Sequence, residues 1–398
     1  MHYKAPYKNS NIVVRALEVI LCLYIIIVPV TNSLSIQLFG YAIQVYIAVI
    51  VIVFALLSKL LFQQTSQNNY FGLCILTAFI FLLLIHKFRN TQVETGVFLL
   101  ILLYISFLTL PKEISRKKIY TAYYLAAILA ASYTMIIGLS ENTITRTATS
   151  VDGSIGLIVL TICLFLKEDF EQTGFYRAVK VIALVSSLVV LGFGMSRARL
   201  SLGVLILAIK LFWGVVRIVR TGRIKVILIL ALPIFIAASI FVFRLDAIQD
   251  LIDEISLRFE RGFESLGRSE EIRFGWSLFR EHFIIGNGFG TLTFVDYQNY
   301  DSLYFNHCMY VAILARGGLV LAVPFFMSFA AILKSTVKSK NLFLCLVMGL
   351  FFVLGYGNAG LFNYTNVSFL IPLIIELRSY ESEERVYTKN ACDIYSKR

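Results

Sequence analysis

Long apolar runs separated by short polar stretches occupy most of the chain. A run of about 17 to 25 residues, rising ~1.5 Å per residue as a helix, matches the roughly 30 Å hydrocarbon core of a bilayer. The pattern predicts twelve spans, near 12–30, 38–58, 70–86, 94–110, 119–139, 154–166, 178–195, 200–216, 226–243, 306–333, 341–360 and 365–377. The sixth and twelfth are short and need flanking residues to cross. Most connections are brief, which makes successive spans antiparallel neighbours. One is not: residues 244–305 form a polar loop between the ninth and tenth spans, and loops of that length are usually functional.

That loop carries two patterns at helical spacing. Ile248, Leu251, Ile252, Ile255 and Phe259 form the first; Ile272, Trp276, Phe279 and Phe283 form the second. At about 100° per residue the second set makes a stripe about 60° wide, with Glu270, Glu271, Ser277 and Glu281 facing away. Arg268 borders the stripe on one side, Arg273 and Arg280 on the other, as expected of a helix lying at a membrane surface. Gly286, Gly288 and Gly290 then end it. The predicted fold is all-α: a polytopic transmembrane helix bundle of about 12 spans with one large exterior, periplasmic loop containing amphipathic helices. Residues 1–243 hold spans one to nine, 244–305 the loop, 306–377 spans ten to twelve, and 378–398 a short charged tail.

Composition agrees. The 398 residues are 58% hydrophobic and 15% charged, too little charge for a soluble domain of this size. No removable signal peptide is expected, so the first run stays as an anchor. The net charge of +12 suggests nucleic acid until its distribution is considered. With the N terminus inside, 23 of the 36 basic residues fall on cytoplasmic segments, Lys210 lies inside a span, and 12 remain outside. Such an asymmetry sets topology during insertion, and it puts both termini in the cytoplasm. Cys22, Cys74, Cys163, Cys308, Cys345 and Cys392 are scattered, without a CxxC or other metal-ligand spacing. No metal or other cofactor is expected.

The twelve exterior cations are eleven arginines and one lysine. The long loop has six arginines against eleven carboxylates, a net charge of −5, so an anion site there must be local and geometric. Arginine suits such a site because its planar fork bonds phosphate oxygens in pairs. The plainer account is pairing of the loop arginines with nearby carboxylates. Arg197 and Arg199, in GFGMSRARLSLGV, stand between two apolar runs, where charge is expensive and tends to mark a substrate path; snorkelling towards headgroups is the alternative. His307 opens the tenth span in NHCMYVAILARGG. Its neighbour Cys308 points about 100° away on a helix, which excludes a nucleophile–base pair. Tyr297, Tyr300 and Tyr304 either stack on sugar rings or belong to an interfacial aromatic belt.

Three motifs, in this order, resemble the bacterial O-antigen polymerase and O-antigen ligase superfamily of membrane glycosyltransferases. Ser196-Arg197 starts a mid-chain span; Arg268 precedes the Gly286–Gly288 GxG by 18 residues; His307 precedes Gly318 by 11. The resemblance covers residues 190–330, and Phe283-Ile284-Ile285 and Cys308 depart from the family's usual proline and asparagine. Arg268 and Arg273 both remain candidates for the loop arginine.

The resemblance implies metal-independent, inverting glycan transfer from an undecaprenyl diphosphate donor at the outer face of the bacterial cytoplasmic (inner) membrane. It implies catalytic roles for Arg197, His307 and Arg268 or Arg273, and substrate contacts for Arg199, Arg280, Tyr297, Tyr300 and Tyr304. The partners expected are the undecaprenyl-diphosphate-linked oligosaccharide, membrane lipids and a chain-length regulator protein, with no nucleic acid. Polymerase is favoured over a ligase that delivers glycan to lipid A core or protein. A transporter or flippase is the alternative from another class, set against by the lack of a matching pair of interrupted spans in the two halves.

Overall fold

The structure, a computed structural model, describes residues 7–34, 37–38, 41–62, 67–88, 94–140, 153–168, 173–193, 197–220, 266–290, 293–296, 301–304, 308–357 and 363–380. The expected ninth span at 226–243, the first amphipathic pattern at 248–259 and the tail beyond 380 lie outside these residues.

The described architecture is a helical bundle. In chain order it runs α1 (Tyr7–Leu34), α2 (Ile43–Phe62), α3 (Gln67–Phe88), α4 (Thr95–Leu108), α5 (Arg116–Ser140), α6 (Ser154–Phe165), α7 (Gly174–Phe193) and α8 (Arg197–Arg220). After these come α9 (Leu266–Glu281), α10 (Met309–Ser339), α11 (Leu342–Gly357), the single turn α12 (Tyr364–Val367) and α13, residues 370–380. Two antiparallel hairpins interrupt the helices: β1–β2 (Gln37–Leu38 with Tyr41–Ala42) and β3–β4 (Thr293–Asp296 with Asp301–Tyr304). Neither was anticipated in the all-α expectation; the signal for the second is the β-prone TFV and LY on either side of the polar stretch DYQNYD.

Among the described residues, six helices are long and apolar enough to cross a membrane: α1, α3, α5, α7, α8 and α10. The apolar helices α2, α4, α6 and α11 are shorter. The 12 residues of α6 rise only about 18 Å. It compensates by burial: Ser154 to Ile162 are wholly enclosed, and α6 packs against α5, α7, α8 and α11. A short helix enclosed by protein over its first nine residues meets little lipid there, so the bilayer's thickness constrains it weakly. The twelfth apolar run is interrupted at Ser368 and Phe369, between α12 and α13.

One end of the bundle is tied by ion pairs at the basic end of the helices. Glu376 of α13 accepts from Nε and Nη2 of Arg116, each at 2.8 Å, and from the Tyr120 hydroxyl. Glu18 of α1 accepts from Lys118 and from the Ser115 amide at the head of α5. Glu168, just past α6, accepts from Tyr124 (2.5 Å) and Tyr176 (3.2 Å) and pairs with Lys180 at 3.1 Å. Each carboxylate is largely buried and saturated by donors from neighbouring helices, which is what makes it tolerable there.

Candidate functional site at the GxG loop and the broken helix

The opposite end of the bundle is organised around a break in α10. Gly318 has φ 56° and ψ −159°, backbone that only glycine adopts readily, and it severs the helix one residue after Gly317. A broken helix strands backbone carbonyls and amides on either side of the break. Here the segment after α9 takes four of them: the amides of Asn287 and Gly288 donate to the carbonyls of Ala315 and Arg316, each at 2.9 Å. In return Leu319 and Val320 donate to the carbonyls of Phe283 (2.9 Å) and Ile284 (3.1 Å). The loop has exchanged itself for one turn of helix.

Glycine makes this approach possible. Gly286 and Gly288 both have positive φ, 70° and 95°. A Cβ on Gly286 would strike the Arg316 carbonyl, and one on Gly318 would strike the Ile284 carbonyl. On Gly288 it would stand 3.0 Å from Nδ1 of His86. The glycines of two of the motifs read in the sequence therefore meet at one junction. Asn287 seals it, its side-chain amide donating to Leu278 at 2.7 Å and to Ala315 at 3.3 Å.

The same turn of α10 carries a charge. Arg316 is 1% exposed; its guanidinium donates to the Gly290 carbonyl at 2.6 Å and lies 3.6 Å from the carboxylate of Glu94, the residue that precedes α4. Glu94 in turn donates its backbone amide to the Phe289 carbonyl at 2.7 Å. His86 of α3 meets the Ile285 carbonyl at 3.3 Å through Nε2 and packs edge-on to Phe289. Tyr364 of α12 lies within electrostatic reach of Glu94, and its buried hydroxyl has no hydrogen-bond partner among the described residues. Arg316, Glu94 and His86 were not singled out from sequence. The signal for Arg316 was present, since a cation in the middle of MYVAILARGGLVLAVP is an intramembrane charge, which by default marks function.

α9 lies along the start of α10. Ile272, Phe274 and Leu278 pack on Cys308, Val311, Ala312 and Ala315. This corrects the expected orientation in part. Trp276 and Phe283 of the apolar stripe are exposed, as a membrane-surface helix requires, but Glu271, expected to face away from apolar surroundings, is 2% exposed against α10. Gly275, one turn on from Glu271, is buried as well, and Glu271 comes close enough to act electrostatically on Cys308.

Among the arginines expected to serve the site, Arg273 and Arg280 are exposed on α9. Arg199 of α8 lies over Gly153 at the head of α6, where a Cβ would come 3.2 Å from its Cδ. From there Ser154 bonds Asn366 of α12, and α12 packs against α4, which Glu94 precedes. Arg197 is the first residue of α8 and Arg268 lies in the first turn of α9, but their side chains are outside the described residues, as is that of Tyr304 in β4. Tyr297, Tyr300 and His307 lie wholly outside them. Among the described residues no three His, Cys, Asp or Glu side chains gather as a metal site would require.

The fold defines a class, a bundle of helices with transmembrane character carrying a docked amphipathic helix. No family model matches the chain, and no curated protein matches it.

Proposed function

We propose that this chain is a membrane glycosyltransferase that polymerises the repeat unit of a surface polysaccharide. It transfers the growing glycan from undecaprenyl diphosphate to a lipid-linked acceptor unit on the outer face of the cytoplasmic membrane. The observation that carries the proposal is the junction at Gly286, Gly288 and Gly318. It supports the reading because it holds the arginine-bearing α9 against the first turns of α10, the helix that begins two residues after His307.

In this reaction the acceptor sugar hydroxyl attacks the anomeric carbon of the donor. A new carbon–oxygen bond forms, the bond from that carbon to the diphosphate oxygen breaks with its electron pair, and His307 takes the hydroxyl proton. Arg197 with Arg268 or Arg273 grips the departing diphosphate, where negative charge grows in the transition state. Arg316 is a positioning residue: enclosed and bound to Gly290, it holds the GxG loop in place. His307 suits proton transfer because imidazole titrates near neutrality. Arg199, Arg280, Tyr297, Tyr300 and Tyr304 are assigned to the glycan and its carrier.

The test is single replacement of Arg197, Arg268, Arg273 and His307 by alanine, with glycan chain length read in cells at matched protein levels. Loss of long chains is expected for Arg197→Ala and His307→Ala; normal chains from Arg197→Ala would overturn the mechanism. Arg197→Lys keeps the charge and loses the fork, so it should also fail if bidentate binding matters. Cells lacking the protein separate polymerase from ligase: single repeat units on the lipid core indicate a lost polymerase, bare core a lost ligase.

A transporter draws support from one observation, the breaks in α10 and between α12 and α13, since discontinuous helices line many translocation paths. Both breaks fall in the same half of the chain rather than at matching positions in two repeats. Chain extension by purified protein in detergent distinguishes the two, because a transporter has nothing to do without a sealed membrane.

A further inference from the structure

A cavity of about 810 Å³ lies at the end of the bundle away from the Arg316 cluster, between the end of α6, the later turns of α8 and the turn joining α10 to α11. Its wall is divided by chemistry. Phe165, Trp213 and Phe343 supply an aromatic side, and Lys167, Lys210 and Lys340 supply three cations, with no carboxylate among the described lining residues.

The lysines are placed by the fold. Lys210, inside an apolar helix, bends back to the Leu164 carbonyl at the end of α6 and lies 5.1 Å from the centre of the Phe165 ring. Lys340 caps α10 in a left-handed conformation, φ 53°, and is exposed. Lys167 follows α6 directly. Among the described residues the neighbouring acid, Glu168, has its carboxylate taken by Tyr124, Tyr176 and Lys180, so it leaves the positive charge of the cavity standing. Beside the cavity, α8 is open to its surroundings: 11% of its apolar window is buried, against 61% in α10, and Leu211, Phe212 and Trp213 are exposed.

We infer that this cavity binds the headgroup of an anionic phospholipid, its phosphodiester among Lys167, Lys210 and Lys340 and its acyl chains along the exposed face of α8. Ammonium groups bind phosphate as point charges, and basic side chains at a membrane boundary attract anionic lipid. Tryptophan at the rim is the usual residue where a hydrocarbon surface meets headgroups. A free phosphate would make no use of the aromatic wall or of the apolar surface of α8. The inference stands apart from the glycan reaction, since it concerns the other end of the bundle.

The test uses the full chain in phosphatidylcholine nanodiscs doped with phosphatidylglycerol, with retained lipids counted by native mass spectrometry. Phosphatidylglycerol should be retained over phosphatidylcholine. Lys167→Gln, Lys210→Gln and Lys340→Gln combined should lower that retention, by about five-fold for each lysine, while Lys112→Gln, in the α4–α5 turn, should not. Equal retention by the triple variant, or equal retention of phosphatidylcholine, would overturn the inference. Displacement of phosphatidylglycerol by millimolar inorganic phosphate would also overturn it, in favour of a free-anion site. Should the triple variant fail to fold, Lys340→Gln alone, at an exposed position, carries the same expectation at smaller size.

Discussion

Gly286→Ala and Gly318→Ala attack the same junction from opposite sides, and their combination tests whether it is one unit. Each added methyl collides with a carbonyl of the other strand, Arg316 in the first case and Ile284 in the second. Neither collision is relieved by rotating a side chain, because both partners are backbone. The junction must open, which forfeits the four exchanged hydrogen bonds. At about 1 kcal/mol net apiece these are worth about 4 kcal/mol, and a non-glycine residue held at positive φ would add about 1 to 2 kcal/mol if the backbone stayed put. Each single variant should therefore lose about 4 to 5 kcal/mol. The double variant should lose little more, since one opening destroys what both substitutions strain, and a coupling of about 4 kcal/mol follows. Unfolding of purified protein in mixed micelles, followed by circular dichroism against detergent mole fraction, measures all three. Strictly additive losses, or single losses under about 1 kcal/mol, would refute the account of α10 and the GxG loop as one interlocked element.

The remaining predictions concern particular contacts. A protein whose other cysteines are replaced should react slowly with maleimide at Cys308, which is 3% exposed beneath α9, and Gly286→Ala should accelerate the reaction at least ten-fold by freeing α9; unchanged labelling would show that α9 does not depend on the junction. Arg116→Ala strands the buried Glu376 carboxylate and should cost about 3 to 5 kcal/mol in the same unfolding assay, whereas replacing the Arg116–Glu376 pair by methionines should cost far less. Arg316→Met should destabilise by about 2 to 4 kcal/mol by leaving Glu94 beside an apolar group, and Glu94→Gln added to it should recover part of the loss, as a thermal melt would read.

The helices of this bundle were legible because hydrophobic periodicity and run length are local properties. The runs at 12–30, 70–86, 119–139 and 178–195 correspond to α1, α3, α5 and α7 within a few residues. Legibility failed where length ceased to matter. The run at 154–166 reads as a marginal span, yet α6 is short because its neighbours enclose it. The run at 306–333 reads as one continuous span, yet α10 is broken at Gly317-Gly318, since a glycine pair inside an apolar run becomes a break only when something nearby takes up the freed hydrogen bonds. The β3–β4 hairpin was missed for a similar reason: four-residue strands are too short for alternation to stand out.

The candidate site divides along the same line. Sequence by itself determined that residues 244–305 hold six arginines and no lysine, that a GxG follows the amphipathic helix, and that a glycine sits 11 residues after His307. Charge asymmetry and residue spacing are properties of the chain before it folds, so they can be read from it directly. Only tertiary structure decided that Gly286 and Gly288 close on Gly318, that Arg316 is enclosed, and that Glu94, over 200 residues earlier, is its counter-charge. Those pairings join elements far apart in sequence, and what selects them is the requirement that every polar group drawn out of water find a partner, which no local pattern records.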